Sequence, residues 1–389
     1  MRKLDDDEIG QVMLPPRSLK AGKGRGAVSN LQGRYEMHGR EQFDDGWADE
    51  VGGQESEAPV WKTVVCDETA KTILSRNASP DIPFGVSLNP YRGCEHGCIY
   101  CFARPSHSYL GLSPGLDFER RIFAKVNAPE LLRRELARDG YVPESIALGV
   151  NTDAYQPCER ERRLTRRVLE VLHECGHPVG LITKSSLIER DIDLLADMAA
   201  KRQAAVAITV TTLDAAIART LEPRAAAPAR RLRTIRTLSE AGIPVSVSVA
   251  PVIPFITEPD LERVLEAVRE AGAIHAHYVV LRLPWEVNPL FQQWLHTHFP
   301  ERAQRVMNRV REMRGGQDYD SSFASRMHGE GVWADLIRQR FEKTVRKLGM
   351  NAHNSRFRSL DATQFKRPLV VPPLGARSRS GSAGQLDLF

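Results

Sequence analysis

Cysteine is scarce in this chain of 389 residues. It has six, too few for a disulfide-framed extracellular scaffold of this length. Long apolar runs are missing as well: no stretch approaches the roughly 18 residues that a membrane-spanning helix needs. The opening MRKLDDDEIG carries acids where a secretory signal requires an apolar core. These absences predict a cytoplasmic protein with no membrane partner. A strong charge of one sign is also lacking. Fifty-four basic residues against 49 acidic ones leave a net charge of +5, so any contact with nucleic acid has to come from local patches. What is there, 42% hydrophobic residues, suffices for one large core or two ordinary ones.

Residues 1–60, including KAGKGRGAVSN and DDGWADEVGGQESE, are polar, glycine-rich and without a sustained period, and read as a disordered arm. Residues 367–389, RPLVVPPLGARSRSGSAGQLDLF, read the same way. Between them the pattern is regular. Short apolar runs at 83–88, 145–150, 178–184, 205–210, 244–250 and 277–283 read as buried strands. Amphipathic stretches at 128–140, 161–176, 190–201, 228–241 and 258–271 read as helices, the first two closed by Gly140 and Gly176. Six strands, each followed by a helix, predict an α/β fold with a parallel sheet. Six units fall short of the eight that close a full barrel. The expected architecture is an open, partial (β/α)6 barrel over residues 61–290, with a doubly wound sheet as the other arrangement. An arginine-rich helical extension follows over 291–366. In either architecture, function gathers at the C-terminal ends of the strands.

The segment NPYRGCEHGCIYCFARPSH, residues 89–107, lies at such an end and holds half of the cysteines. Cys94, Cys98 and Cys101 are spaced C-x3-C-x2-C. Thiolates suit zinc and iron–sulfur clusters. A structural zinc site needs a fourth ligand, which His96 or His107 would supply. A cluster held by three thiolates leaves one iron open for a substrate or cofactor.

That motif, with Tyr100 just before the third cysteine and the loop placed after strand one of a sixfold βα pattern, resembles the radical S-adenosylmethionine (SAM) superfamily over residues 84–284. SPDIPFGVSLNPYRGCEHGCIYCFARPSH, GVNTDAYQP, LITKSSLIERDIDLL, EPRAAAPARRL, APVIP and LRLPWE together resemble its DNA-repair-photolyase-like branch, akin to spore photoproduct lyase. The resemblance implies a 4Fe–4S cluster on Cys94, Cys98 and Cys101, with SAM chelating the fourth iron. It further implies reductive cleavage of SAM to a 5′-deoxyadenosyl radical, and an external electron donor. Protein then orients and shields what the cofactor does.

The resemblance also implies SAM ligands at the other strand ends. Where family members carry a Gly-Gly-Glu-like segment, this chain has GVNTD, so Thr152 and Asp153 take that place, although Asn and Asp cap turns as well. Lys184 and Ser185 end strand three, where a cation meets a carboxylate or phosphate. Thr211, between Thr209 and Thr212, ends strand four. In EPRAAAPARRLRTIR, Glu222 and Arg231 are the residues expected near SAM. Cys158 lies just beyond strand two and is the candidate hydrogen-atom donor, a part that Tyr155 or Tyr91 could equally take. Cys175 sits on the apolar stripe of its helix and reads as packing.

The last five residues, QLDLF, resemble the peptide by which bacterial repair proteins dock on the β sliding clamp. Leu386, Leu388 and Phe389 would anchor it and Gln385 would set its register. A tethered clamp peptide raises local concentration at DNA. The expected function is therefore a radical SAM enzyme acting on DNA, in lesion repair or processing of the spore photoproduct lyase type. The rivals are modification of RNA, a peptide or a metabolite, and a non-catalytic zinc-containing nucleic-acid-binding protein.

Overall fold

The structure, a computed structural model, describes residues 22–36, 62–352 and 360–369. The six apolar runs form parallel strands: β3 (Val86–Leu88), β6 (Ile146–Leu148), β7 (Val179–Thr183), β8 (Ala204–Thr209), β9 (Val245–Val252) and β10 (His275–Val280). β2 (Leu74–Arg76) runs antiparallel to β3 at one edge. Their spatial order, β10-β9-β8-β7-β6-β3-β2, follows the chain. A doubly wound sheet reverses its order at a switch point; this one does not, so the architecture is the partial α/β barrel.

Helices α2 (Ala128–Leu136), α4 (Leu164–Glu174), α5 (Ile192–Ala200), α7 (Pro228–Glu240) and α8 (Leu261–Glu270) cover the outside. Leu132 and Leu136 of α2 and Val168, Leu169 and Leu172 of α4 share one core with Ile146, Leu148, Val179, Leu181, Val206 and Ile208 of the strands. Burying each such side chain contributes about 1.5–3 kcal/mol. The helix read over 161–176 is broken. Arg163 takes φ +52°, separating α3 (Glu159–Arg162) from α4. Glu159 causes the break by accepting from the Thr165 and Arg166 backbone N–H groups at 3.0 and 3.4 Å.

Alternate strand residues face the lumen, in register. Ser87, Ala147, Gly180 and Ala205 form one layer. Ile182, Ala207, Ser246 and His275 form the next, and Thr209, Ser248 and His277 the one nearest the C-terminal ends. A closed eight-stranded barrel packs this space with bulky branched side chains. Here most of them are small, and His277 in the last layer is exposed.

Three features differ from the sequence expectation. β1 (Val64–Glu68), β5 (Arg121–Lys125) and β4 (Tyr91–Arg92) form a second sheet, in the order β1-β5-β4. Short, mixed strands paired across half a hundred residues leave no period to read. Residues 22–36, expected within a disordered arm, pack against the core, with Arg25 and Ala27 buried. Residues 360–369 also return to the barrel, where the Lys366 N–H donates to Cys175 O at 2.8 Å. Gln385, Leu386, Leu388 and Phe389 lie outside the described residues. The extension comprises α9 (Val287–His298), α10 (Pro300–Glu312) and α11 (Gly331–Lys347). Trp294 and Phe291 of α9 are fully buried with Leu281 and Leu283, which makes them packing residues. Among the described residues no helix is long and apolar enough to cross a membrane.

Candidate active site

The cysteine loop follows β3 and is held by backbone and buried charge. The Cys94 N–H donates to Phe118 O at 2.9 Å, and the Ile99 N–H to Leu221 O at 3.1 Å. Arg104 is fully buried. Its guanidinium donates to the Cys98 carbonyl at 2.9 Å, to Gly97 O at 3.1 Å, and to Pro114 O and Gly115 O at 3.1 and 3.0 Å. It pairs with Glu119 at 2.5 Å. Glu119 in turn accepts from the backbone N–H groups of Gly26 and Ala27 at 3.0 and 2.8 Å. A buried arginine with every donor occupied fixes the loop it spans, because releasing any partner strands charge in a low dielectric. Gly97 takes φ +66°, and a Cβ on Gly26 would stand 1.8 Å from the Gly97 oxygen. The N-terminal segment is thus pressed directly onto the cysteine loop.

On the other side, Gln156 accepts from the Glu95 N–H at 2.9 Å and donates to Gly93 O at 3.2 Å. Glu95 accepts from the Cys158 N–H at 3.0 Å and meets Arg224 at 3.3 Å.

Cys94 and Cys98 are buried and Cys101 is half-buried. Burial pushes the Cys94 thiol well up, with Asp153 and Cys98 adding to it. Burial likewise pushes Cys98 up to about 12, although Lys184 opposes the rise. Three neighbouring thiolates repel one another and are a donor set that a cationic centre stabilises. The histidines that would complete a zinc site are engaged elsewhere. His96 Nδ1 faces Asp153 at 3.2 Å, and His107 Nε2 donates to Arg121 O at 3.0 Å. Among the described residues no three His, Cys, Asp or Glu side chains converge on one metal-ion position. Thiolates of a cluster each take a different iron, so three neighbouring thiols that share no single metal-ion position still fit a cluster.

Around Cys98 stand charged residues from three other strand ends. Glu222 is buried and accepts from Tyr100 Oη and from Arg231 Nη2. Arg231, also buried, donates from Nη1 to Thr209 O at 3.0 Å. Burial alone would raise the Glu222 carboxyl; Arg231, Lys184 and Tyr100 outweigh it and hold it low. Burial would also raise Asp153, yet His96, the Lys184 N–H at 2.8 Å and Thr183 Oγ1 at 2.7 Å hold it well below the usual carboxylate range. Lys184 stays charged: burial opposes its proton, but Cys98, Glu222 and Asp153 retain it. Its ammonium lies 6.0 Å from the Tyr100 ring centre. Thr211 Oγ1 is buried without a hydrogen-bond partner. A desolvated cation beside the thiols and an unsatisfied buried hydroxyl just past the end of β8 suit a zwitterionic ligand with polar groups of its own.

The structure therefore brings Tyr100, Asp153, Lys184, Glu222 and Arg231 together beside the cysteines. Two expected ligands spend their side chains locally. Thr152 Oγ1 donates to Tyr91 O at 3.3 Å, and Ser185 Oγ accepts from the Leu187 N–H at 3.2 Å, capping a 3-10 helix. Cys158 packs beside Tyr91 and Leu164 under the small sheet, with its thiol pushed up by burial. Arg104, Glu119 and Gln156 gave no signal in the sequence, because a lone buried polar residue looks like a surface one until its partners are known.

Residues 88–268 match the sequence profile of the Radical SAM superfamily. An uncharacterized protein of Mycobacterium tuberculosis is 36% identical over 234 residues, 60% of this chain and 68% of that protein. An uncharacterized protein of Methanocaldococcus jannaschii is 25% identical over 223 residues, 57% of this chain and 80% of that one. Among solved structures, a spore photoproduct lyase variant aligns with a TM-score of 0.50 at 13% identity, covering 77% of this chain and 84% of that one. A second variant, with bound AdoMet and dinucleoside spore photoproduct, gives 0.50 at 12% identity over the same shares. At these identities the likeness is one of fold.

Proposed function

The chain belongs to the radical SAM superfamily, and from that premise we propose that it binds a 4Fe–4S cluster through Cys94, Cys98 and Cys101 and cleaves S-adenosylmethionine to act on DNA. The observation that carries the chemistry is the three-thiol loop at the C-terminal mouth of the barrel, with the charged Lys184 beside Cys98. When bound, the cluster supplies the electron that splits the sulfonium of SAM into methionine and a 5′-deoxyadenosyl radical.

The chain's own residues do the rest. Arg104 and Glu119 keep the loop in one conformation. Lys184 presents a desolvated cation for the carboxylate of SAM, and Asp153 a carboxylate for its amino group. Arg231 and Tyr100 hold Glu222 ionised beside them. The covering helices exclude the water and oxygen that would quench a radical.

DNA as substrate is supported by the fold likeness to spore photoproduct lyase, one of whose structures holds a dinucleoside photoproduct, and by the clamp-like QLDLF. Lesion repair by a lyase reaction is the corresponding activity, with Cys158 or a tyrosine as hydrogen-atom donor, and the β sliding clamp is the corresponding partner. The test is anaerobic. Protein reconstituted with iron and sulfide and reduced in the presence of SAM should release 5′-deoxyadenosine, and Cys98→Ala should not. A colourless protein that retains zinc and forms no nucleoside would sink the enzyme reading.

A further inference from the structure

Folded proteins bury most large aromatic side chains. Around the mouth of this barrel several stay out: Phe102, next to the cluster ligand Cys101, is 47% exposed, and Trp285, in the loop after β10, is 47% exposed. Tyr35 and Tyr109, stacked at 5.0 Å between ring centres, are exposed beside the same loops.

The arginines among these rings differ in what they hold. Arg34 lies 4.3 Å over the Trp285 ring and is neutralised by Glu286 at 2.9 Å. Arg326 lies 4.5 Å over Phe323 and forks onto Asp81. Arg314 donates to the carbonyls of Ser325 and Leu281, both at 2.9 Å. Arg282 is the exception. It follows β10, its guanidinium lies 5.7 Å from the Phe102 ring centre, and its Nη1 reaches only Met327 Sδ at 3.5 Å. Its Nε is buried with no hydrogen-bond partner. No carboxylate among the described residues pairs with it at ion-pair distance. Thioether sulfur is a weak acceptor, and a buried guanidinium N–H without an acceptor is costly. Arg314 stands close enough to feel it: burial pulls Arg314 down to about 10, and Arg282 adds to that while Asp320 opposes it. Arg282 thus stands as a cation without an ion-pair partner beside the exposed ring of Phe102.

An anion beside a free aromatic face is the recognition pattern of a nucleotide held out of its base stack. We propose that Arg282 binds a backbone phosphate of single-stranded or everted DNA and that Phe102 stacks a base of the same strand. This rests on the DNA reading above and deepens it, because it assigns a substrate site distinct from the residues that hold SAM.

The test uses the full-length reconstituted protein and a fluorescein-labelled single-stranded oligodeoxynucleotide, read by anisotropy across a salt series. Arg282→Gln should weaken binding about tenfold or more and flatten the dependence of log K on log salt by about one charge. Phe102→Ala should weaken binding about fivefold to a hundredfold without changing that slope. It should also lose the quenching of a 2-aminopurine placed in the strand. Iron content and thermal melting of each variant separate a lost contact from a lost fold. Should either change, Arg282→Lys and Phe102→Trp should restore the respective signal. Wild-type protein that binds the strand, with Arg282→Gln and Phe102→Ala equal to it in affinity, slope and quenching, would overturn the inference and leave the DNA reading standing. Wild-type protein that makes 5′-deoxyadenosine but binds no DNA would overturn both.

Discussion

Arg326 forks onto Asp81 across 245 positions of sequence, with N–O distances of 2.5 and 2.6 Å. Asp81 precedes β3, near one edge of the open sheet. Arg326 lies in the segment after α10 that pairs with β10 at the other, where the Val280 N–H donates to Met327 O at 2.9 Å. A parallel barrel of six strands cannot close by its own hydrogen bonds, and this bidentate pair latches the gap.

Breaking the latch should loosen the closure. Arg326→Ala strands a largely buried carboxylate and should cost about 1–3 kcal/mol in denaturant unfolding. The Arg326 hydrogen bonds hold the Asp81 carboxyl below its ordinary value. Its contribution is therefore present above the ordinary carboxylate pKa and is lost as pH falls through the folded value. Arg326→Ala should flatten stability against pH in that acidic window. An unchanged acid limb would show that the pair does not latch the fold.

Gly26 touches the cysteine loop with no room for a side chain, since a Cβ there meets the Gly97 oxygen at 1.8 Å. Gly26→Ala should push the N-terminal segment off Glu119. Reconstituted iron and sulfide per chain should fall by half or more, while far-ultraviolet circular dichroism stays as in the wild type. Full iron loading would mean that the segment merely rests on the loop.

Lys184 has no described hydrogen-bond acceptor for its ammonium and sits among Cys98, Glu222 and Asp153. If it meets the carboxylate of SAM, Lys184→Met removes a charge-assisted bond of about 1.5–3 kcal/mol. Equilibrium dialysis should then show SAM binding weakened about tenfold to a hundredfold at normal iron content. Unaltered SAM affinity would reassign Lys184 to balancing the buried acids.

His177 is fully buried, donating Nδ1–H to Pro178 O at 3.0 Å and accepting from Tyr141 Oη at 2.8 Å. Burial pulls its pKa down to about 4, against the Pro178 contact that raises it. The unfolded chain takes up this proton near the ordinary value of about 6.5, so it binds more protons than the folded one between those values. Stability is complete above pH 6.5 and is lost as pH falls toward 4, by about 3 kcal/mol at most from this residue. His177→Gln should lower stability at neutral pH and remove that part of the slope, which urea midpoints at pH 7 and pH 5 would reveal. An identical slope would place the acid sensitivity elsewhere.

The six parallel strands were legible because each is a continuous apolar run bounded by turn residues, and burial on both faces demands that composition. The cysteine spacing was legible because a short loop brings C-x3-C-x2-C side chains close whatever follows. Asp153, Lys184, Glu222 and Arg231 could be picked once the resemblance pointed to the strand ends, since the barrel brings all its strand ends to one mouth. Thr152 and Ser185 were picked by the same rule. Only the tertiary structure shows their hydroxyls turned to Tyr91 O and the Leu187 N–H.

What sequence alone determined here is local: periods, turns, one motif and the chain order that makes consecutive strands neighbours. The tertiary structure decided everything that joins distant segments. Gly26 reads as part of a polar, glycine-rich arm until Glu119 is seen accepting from its backbone. Arg104 reads as one surface arginine among many until its carbonyl partners appear around it. Phe102 and Arg282 stand 180 residues apart and meet only because the open barrel carries the end of its last strand back to the loop that follows its first. Pairing energy of that kind depends on distance and burial, and neither is written in a residue's own chemistry.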